Sequence, residues 1–171
     1  MNYEKFMLQA ITNANYFKYT AKPNPVVGAI LVKDDQIISE GYHEAYGKNH
    51  AEINALANAE KEKNIKFNNF SELTLICSLE PCSHVGKTES CARRIAASGI
   101  KKVIIGSIDP NPKVSGKGIK ILKENNIKVE VGMYQDLVTT QNKFFFFKHK
   151  NNRPYITAKI AQSADGKSHY K

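Results

Sequence analysis

The chain has 171 residues, 42% hydrophobic and 24% charged, which fits one globular domain with a real core and no more than a short appendage. No apolar run approaches the roughly 20 residues of a membrane helix, and the start Met1-Asn2-Tyr3-Glu4-Lys5 is unlike a signal peptide, so a cytoplasmic protein is expected. The net charge of +9 raises nucleic acid as a partner, but seven Lys or Arg and one acid lie between Lys143 and Lys171, leaving eighteen and fifteen in a mildly basic body, so a small anionic substrate is expected instead.

Apolar residues at Phe6, Ala10, Ile11, Ala14 and Phe17 predict an amphipathic helix from Tyr3 to about Tyr16, with Asn2 as its N-cap. Pro23-Asn24-Pro25 forbids helix and predicts a stiff, extended loop. Val26 to Val32 and Ile37 to Tyr42 read as strands joined at Asp34-Asp35, a hairpin. The Ala- and Leu-rich stretch His50 to Ala59 predicts a helix, and Glu60 to Asn69 a solvated loop or frayed helix end. Leu73 to Cys77 has a buried-strand pattern, followed by a polar loop from Glu80 to Ser90.

Cys91 to Ser98 reads as a helix closed by Gly99. A strand follows over Lys102 to Gly106, then a loop at Asp109-Pro110-Asn111-Pro112, a helix over Gly118 to Asn125 and a short strand over Val129 to Val131. Leu137 to Phe147 is a final amphipathic segment, whose Phe144 to Phe147 run suits core or dimer contact better than base stacking. Tyr155 to Ile160 is strand-like again. The order of elements predicts an α/β fold in three layers, with one mixed five-stranded sheet and helices on both faces.

Three pieces carry the chemistry: His50-Ala51-Glu52 at a helix start, Glu80-Pro81-Cys82 just after a strand, and Cys91, nine positions later, at the next helix start. Three cysteines is an odd number, and Cys82 and Cys91 sit among polar residues, better read as metal ligands than as a disulfide. One imidazole and two thiolates make three ligands for zinc and leave the fourth tetrahedral position to water, which zinc brings toward ionisation at neutral pH. Helix N-termini favour the thiolates. Glu52, a carboxylate outside the ligand set, is placed to move that water's proton to a ring nitrogen and then to departing ammonia. A closed structural zinc site, with His43 or His84 as fourth ligand, is the competing reading, and a third makes His50 a helix cap and the cysteines core. Cys77, in an apolar strand, is core.

The wide cysteine spacing resembles the signature of the riboflavin-biosynthesis deaminases, the N-terminal half of a bifunctional deaminase/reductase. It runs Glu80-Pro81-Cys82-Ser83-His84-Val85-Gly86-Lys87-Thr88-Glu89-Ser90-Cys91. Pro23-Asn24-Pro25-Val26-Val27-Gly28, Gly41-Tyr42-His43, His50-Ala51-Glu52 and Asp109-Pro110-Asn111-Pro112-Lys113-Val114-Ser115-Gly116-Lys117-Gly118 match in the same order. The resemblance implies a cytidine-deaminase-like fold. It also implies hydrolytic removal of an amino group from 2,5-diamino-6-(5-phosphoribosylamino)pyrimidin-4(3H)-one, giving the corresponding uracil and ammonia. By position, Asn24, His43, His84, Lys87, Asp109 and Asn111 would line the substrate pocket, with Lys87 meeting the phosphate. The family usually has Pro-Pro where this chain has Glu89-Ser90; Ser90 can instead cap the helix that Cys91 opens.

The expected layout is a deaminase domain over 1–147 and, over 148–171, a linker with the opening of a reductase domain. Arg153 to Lys159 and Ser163 to Lys167 resemble that opening, and the rest of the reductase is absent from the chain. No reductase activity is expected from so short a tail, and Gly116-Lys117-Gly118 is no dinucleotide fingerprint. A homo-oligomer is expected. The alternatives are a tRNA adenosine or free-nucleotide deaminase of the same fold, against which the wide cysteine spacing speaks, and a non-enzymatic zinc-stabilised binding module.

Overall fold

The computed structural model describes residues 2–67, 69–83 and 90–168. Helix α1 (Glu4–Ala14) opens the fold, and the Asn2 side chain accepts from the Glu4 N–H at 3.1 Å. Strands β1 (Gly28–Lys33) and β2 (Gln36–Tyr42) form the expected hairpin. Asp34 and Asp35 both take positive φ (47° and 63°), the twist that a two-residue hairpin loop needs. A register shift between Leu31 and Val32 marks a bulge.

Helix α2 (Ala51–Lys63) runs past the expected end at Ala59 and stops at Asn64, which takes a left-handed conformation. Then come β3 (Thr74–Leu79), α3 (Cys91–Ala97), β4 (Lys102–Ser107), α4 (Lys117–Glu124) and β5 (Lys128–Val131). Gly99 follows α3 at φ 89°, as a helix-ending glycine should. The sheet order is β2-β1-β3-β4-β5; β1 is antiparallel to both neighbours, while β3, β4 and β5 are parallel. The mixed five-stranded sheet is as predicted.

Strand alternation divides the core. Ala29, Leu31, Leu75, Cys77, Val103 and Ile105 face α2, α3 and α4 together with Ala55, Leu56, Ile95 and Leu122. Ile30, Val32, Ile76 and Ile104 face the other way, onto Met7, Ala10 and Ile11 of α1. These are the three layers. Cys77 is buried in the first core, as expected of a strand cysteine.

One expectation is refined and another fails. The segment Leu137 to Phe147 is two helices, α5 (Gln135–Gln141) and α6 (Lys143–Asn151), because Asn142 between them leaves the helical conformation. The buried Asn142 side chain accepts from the Val26 N–H at 2.7 Å and donates to the Val26 carbonyl at 3.0 Å, as a strand neighbour would. Of the four phenylalanines only Phe146 is fully in the core, and Phe144 stays 45% exposed. Tyr155 to Ile160 is no strand: it is exposed and irregular, and Tyr155 rests edge-on against the rings of Phe144 and Phe147. Among the described residues no helix is long and apolar enough to cross a membrane.

Candidate metal centre and active site

The site lies beyond the C-terminal ends of β3 and β4, where parallel strands hand over to loops and helices. His50 is the N-cap residue of α2, in extended conformation, and its ring makes no capping hydrogen bond. Its imidazole is therefore available to the cavity. The position of α2 depends on Gly41: a Cβ there would lie 2.2 Å from both the Ala51 carbonyl oxygen and the Ala55 nitrogen. Asn54 and Asn58 donate to the Tyr42 and Glu40 carbonyls, each at 2.8 Å, and so tie α2 along the outer edge of β2.

His50 Nδ1 stands 3.5 Å from Cys82 Sγ and 3.2 Å from Cys91 Sγ, and the three ligand atoms lie within 4.8 Å of one another. Ser90 organises the second sulfur: its hydroxyl donates to the Cys82 carbonyl at 2.9 Å and accepts from the Arg93 N–H at 3.4 Å. The residue that stands in for proline thus caps α3 and ties both cysteines together. The Cys91 N–H, at the start of α3, donates to Cys82 Sγ at 3.4 Å.

The protonation pattern suits a divalent cation. Hydrogen bonds, first from Cys91 and then from His50, pull Cys82 well below the ordinary thiol range. Cys91, as donor to Cys82 and deeply buried, is pushed up. The hydrogen bond to Cys82 raises His50 to about 9. Protons thus hold together a donor set that a metal would bind by displacing them. Glu52, only 3% exposed, is outside this trio but lines the same cavity. Burial raises its carboxyl to about 7, against the pull of His50.

The cavity holds about 420 Å³ and is lined by His50, Glu52 and Cys82, and also by Asn24, His43, Asp109 and Asn111. His43 is buried and fully engaged: its Nδ1 donates to the Asn49 carbonyl at 3.0 Å and its Nε2 accepts from the Asn24 amide at 3.0 Å. It has no nitrogen to spare as a fourth metal ligand. The Asp109 carboxylate accepts from the Asn111 N–H at 2.8 Å, a tight turn that presents both to the cavity. His84, Lys87 and Glu89 lie outside the described residues.

Sequence reasoning assigned no role to Glu80. Its buried carboxylate accepts four backbone N–H groups: Asp109 at 3.3 Å, Gly116 at 3.0 Å, Gly118 at 3.0 Å and Ile119 at 3.2 Å. One side chain thereby ties the end of β3 to the loop after β4 and to the start of α4. Gly118 completes the joint, because a Cβ there would lie 2.0 Å from the Pro81 carbonyl oxygen. The cavity also takes Phe145, Lys148 and His149 from α6, a helix that no motif connected with the site.

A parallel β-α-β frame that gathers an imidazole, two sulfurs and a detached carboxylate defines a zinc-dependent deaminase centre. Residues 1–107 match the family model of the cytidine and deoxycytidylate deaminase zinc-binding region. The chain is 44% identical over 150 residues to a diaminohydroxyphosphoribosylamino-pyrimidine deaminase of Buchnera aphidicola, covering 87% of this chain and 97% of that one. It is 43% identical over 165 residues to riboflavin biosynthesis protein RibD of Aquifex aeolicus, covering 96% of this chain but 44% of that protein. A RibD structure from Acinetobacter baumannii superposes with a TM-score of 0.86 at 41% identity, over 95% of this chain and 44% of that one. A tRNA:A34 deaminase structure, at 22% identity and a TM-score of 0.64, shares the fold. This chain belongs to the riboflavin-biosynthesis deaminases of the cytidine-deaminase-like superfamily. It spans less than half the length of the RibD proteins and nearly the whole of the Buchnera enzyme.

Proposed function

We propose that this chain hydrolyses the 2-amino group of 2,5-diamino-6-(5-phosphoribosylamino)pyrimidin-4(3H)-one, yielding 5-amino-6-(5-phosphoribosylamino)uracil and ammonia. The observation that carries this reading is the convergence of His50, Cys82 and Cys91 within 4.8 Å beside the buried Glu52, in one cavity with Asn24 and Asp109. His50, Cys82 and Cys91 would hold zinc, which lowers the pKa of a bound water and so supplies a nucleophile at neutral pH.

The remaining steps belong to this chain's side chains. Glu52 accepts a proton from the attacking water as the new C–O bond forms at the amino-bearing ring carbon, and passes it to the adjacent ring nitrogen. A second proton, routed through the same carboxyl, goes to the amino group as its C–N bond breaks. Water oxygen ends in the carbonyl and the amine leaves as ammonia. Asn24, fixed by His43, and the Asp109–Asn111 turn read ring and ribose edges through amide and carboxylate groups. His84 and Lys87 line the same pocket, as their positions imply.

In this reading residues 1–147 are the deaminase domain and 148–171 a linker that opens toward a reductase. The enzyme works in the cytoplasm as a homo-oligomer. Side-by-side incubation of the zinc-loaded chain with the phosphorylated diaminopyrimidine, dCMP and tRNA tests the substrate. Ammonia should come from the first alone; release from tRNA or dCMP with none from the diaminopyrimidine would overturn the assignment.

A further inference from the structure

Helix α6 meets the cavity with a single stripe. Phe145, Lys148 and His149 stand at i, i+3 and i+4, on one face, and all three line it. The Phe145 and His149 rings meet edge to face with centroids 4.6 Å apart, which holds the imidazole on that face. Asn142, bonded to both main-chain groups of Val26, anchors the start of the helix against the loop that carries Asn24. The helix belongs to the α1 side of the sheet and α2 to the other. The cavity therefore bridges two layers, with the metal ligands' helix on one and α6 on the other.

The carboxylates gather on the metal-ligand side of the cavity, whereas the cations come from both sides, Lys48 from the loop before α2 and Lys148 from α6. Lys48 and Lys148 are the only lysines among the described lining residues, and no described ion pair engages either. The lining carboxylates come from α2 and from the loops after β3 and β4, and Glu80 is already met by four N–H groups. Partial burial and the Lys148 ammonium hold His149 below the ordinary histidine range, a cost that an anion seated between them would reverse. A rigid wall with an unpaired ammonium and an imidazole suits a phosphate monoester.

We propose that Lys148 and His149 form an anion subsite that takes the phosphate of the substrate's ribosyl arm and selects phosphorylated over unphosphorylated ligands. This rests on the pyrimidine substrate proposed above. The test uses the zinc-loaded full chain with the phosphorylated diaminopyrimidine and its dephosphorylated form. Lys148→Met should lower the ratio of their kcat/KM values by roughly tenfold or more, the scale of one charge-assisted hydrogen bond, and Lys148→Arg should restore most of it. Lys150→Met, on a residue that does not line the cavity, should leave the ratio unchanged.

Binding of inorganic phosphate, followed by calorimetry, gives a second arm that needs no turnover: Lys148→Met and His149→Gln should each weaken it. Loss of phosphate binding in both variants, with no diaminopyrimidine turnover by the parent, would uphold the subsite and sink the substrate. A ratio within twofold of the parent in Lys148→Met, above all if Lys87→Met collapses it, would overturn the proposal.

Discussion

The Asn24 amide donates to Nε2 of His43 at 3.0 Å, and this bond, with Nδ1 committed to the Asn49 carbonyl, assigns the His43 tautomer. The ring touches His50 edge to face at 5.4 Å between centroids, yet its own nitrogens face away from metal duty. His43→Gln should therefore keep about one zinc per chain by metal analysis and raise KM by roughly tenfold through the loosened Asn24. Loss of the metal in that variant would make His43 a ligand and revive the closed structural site.

Burial also keeps His43 neutral by lowering its pKa. The unfolded chain takes up this proton near pH 6.5 while the folded chain does not, so His43's contribution to stability is present above that pH and is lost as pH falls through it. In His43→Gln the decline of stability between pH 7 and 5, followed by urea unfolding, should be shallower than in the parent. An equal slope in both would contradict this account of the ring.

Glu52→Gln keeps the size and burial of the side chain but cannot accept and return a proton. It should bind zinc normally and lose about 100- to 10,000-fold in kcat, the usual weight of a general acid–base group. Single-turnover ammonia release checks it; retention of more than a tenth of parent activity would remove Glu52 from the proton path.

Glu80→Gln places an amide donor where two of four converging N–H groups need an acceptor. The expected loss is about 2–4 kcal/mol, or a fall of roughly 5–15 °C in Tm for a domain of this size. Gly118→Ala should act in the same direction, since its Cβ can be seated only by moving Pro81, the neighbour of Cys82. Calorimetry on both variants checks the joint, and unchanged Tm values would show that the loop after β4 is held by something else.

Zinc binding should release protons. His50 and Cys91, both raised, must each give one up, whereas Cys82, already lowered, has little to lose. Affinity should therefore fall as pH falls, by about tenfold per displaced proton per pH unit below neutrality. Competition with a chelator at pH 6, 7 and 8 measures the slope, and a flat profile would exclude these ligands.

The strands, the hairpin and the three-layer order were legible because β-branched runs, Asp34-Asp35 and the glycines mark local conformation directly. The grouping of His50, Cys82 and Cys91 was legible because each stands at an element boundary, His50 with Glu52 and Cys82 with Pro81 as characteristic neighbours and Cys91 at a helix start. The break at Asn142 was not: it depends on a bond to Val26, 116 residues away, and Leu137 to Phe147 keeps helical periodicity through it. Glu80 was quoted as part of a motif without a role, because an acceptor's worth depends on which N–H groups the fold brings to it. The α6 wall was missed for a similar reason. Lys148 and His149 look like a solvated basic stretch until α6 is folded across the end of the sheet.

The central claim is best tested by ammonia release from the phosphorylated diaminopyrimidine as metal is removed and returned. Chelation should abolish release, and one equivalent of zinc per chain should restore it in the parent but not in Cys91→Ser. Undiminished release from metal-free protein, or full restoration in Cys91→Ser, would contradict the account.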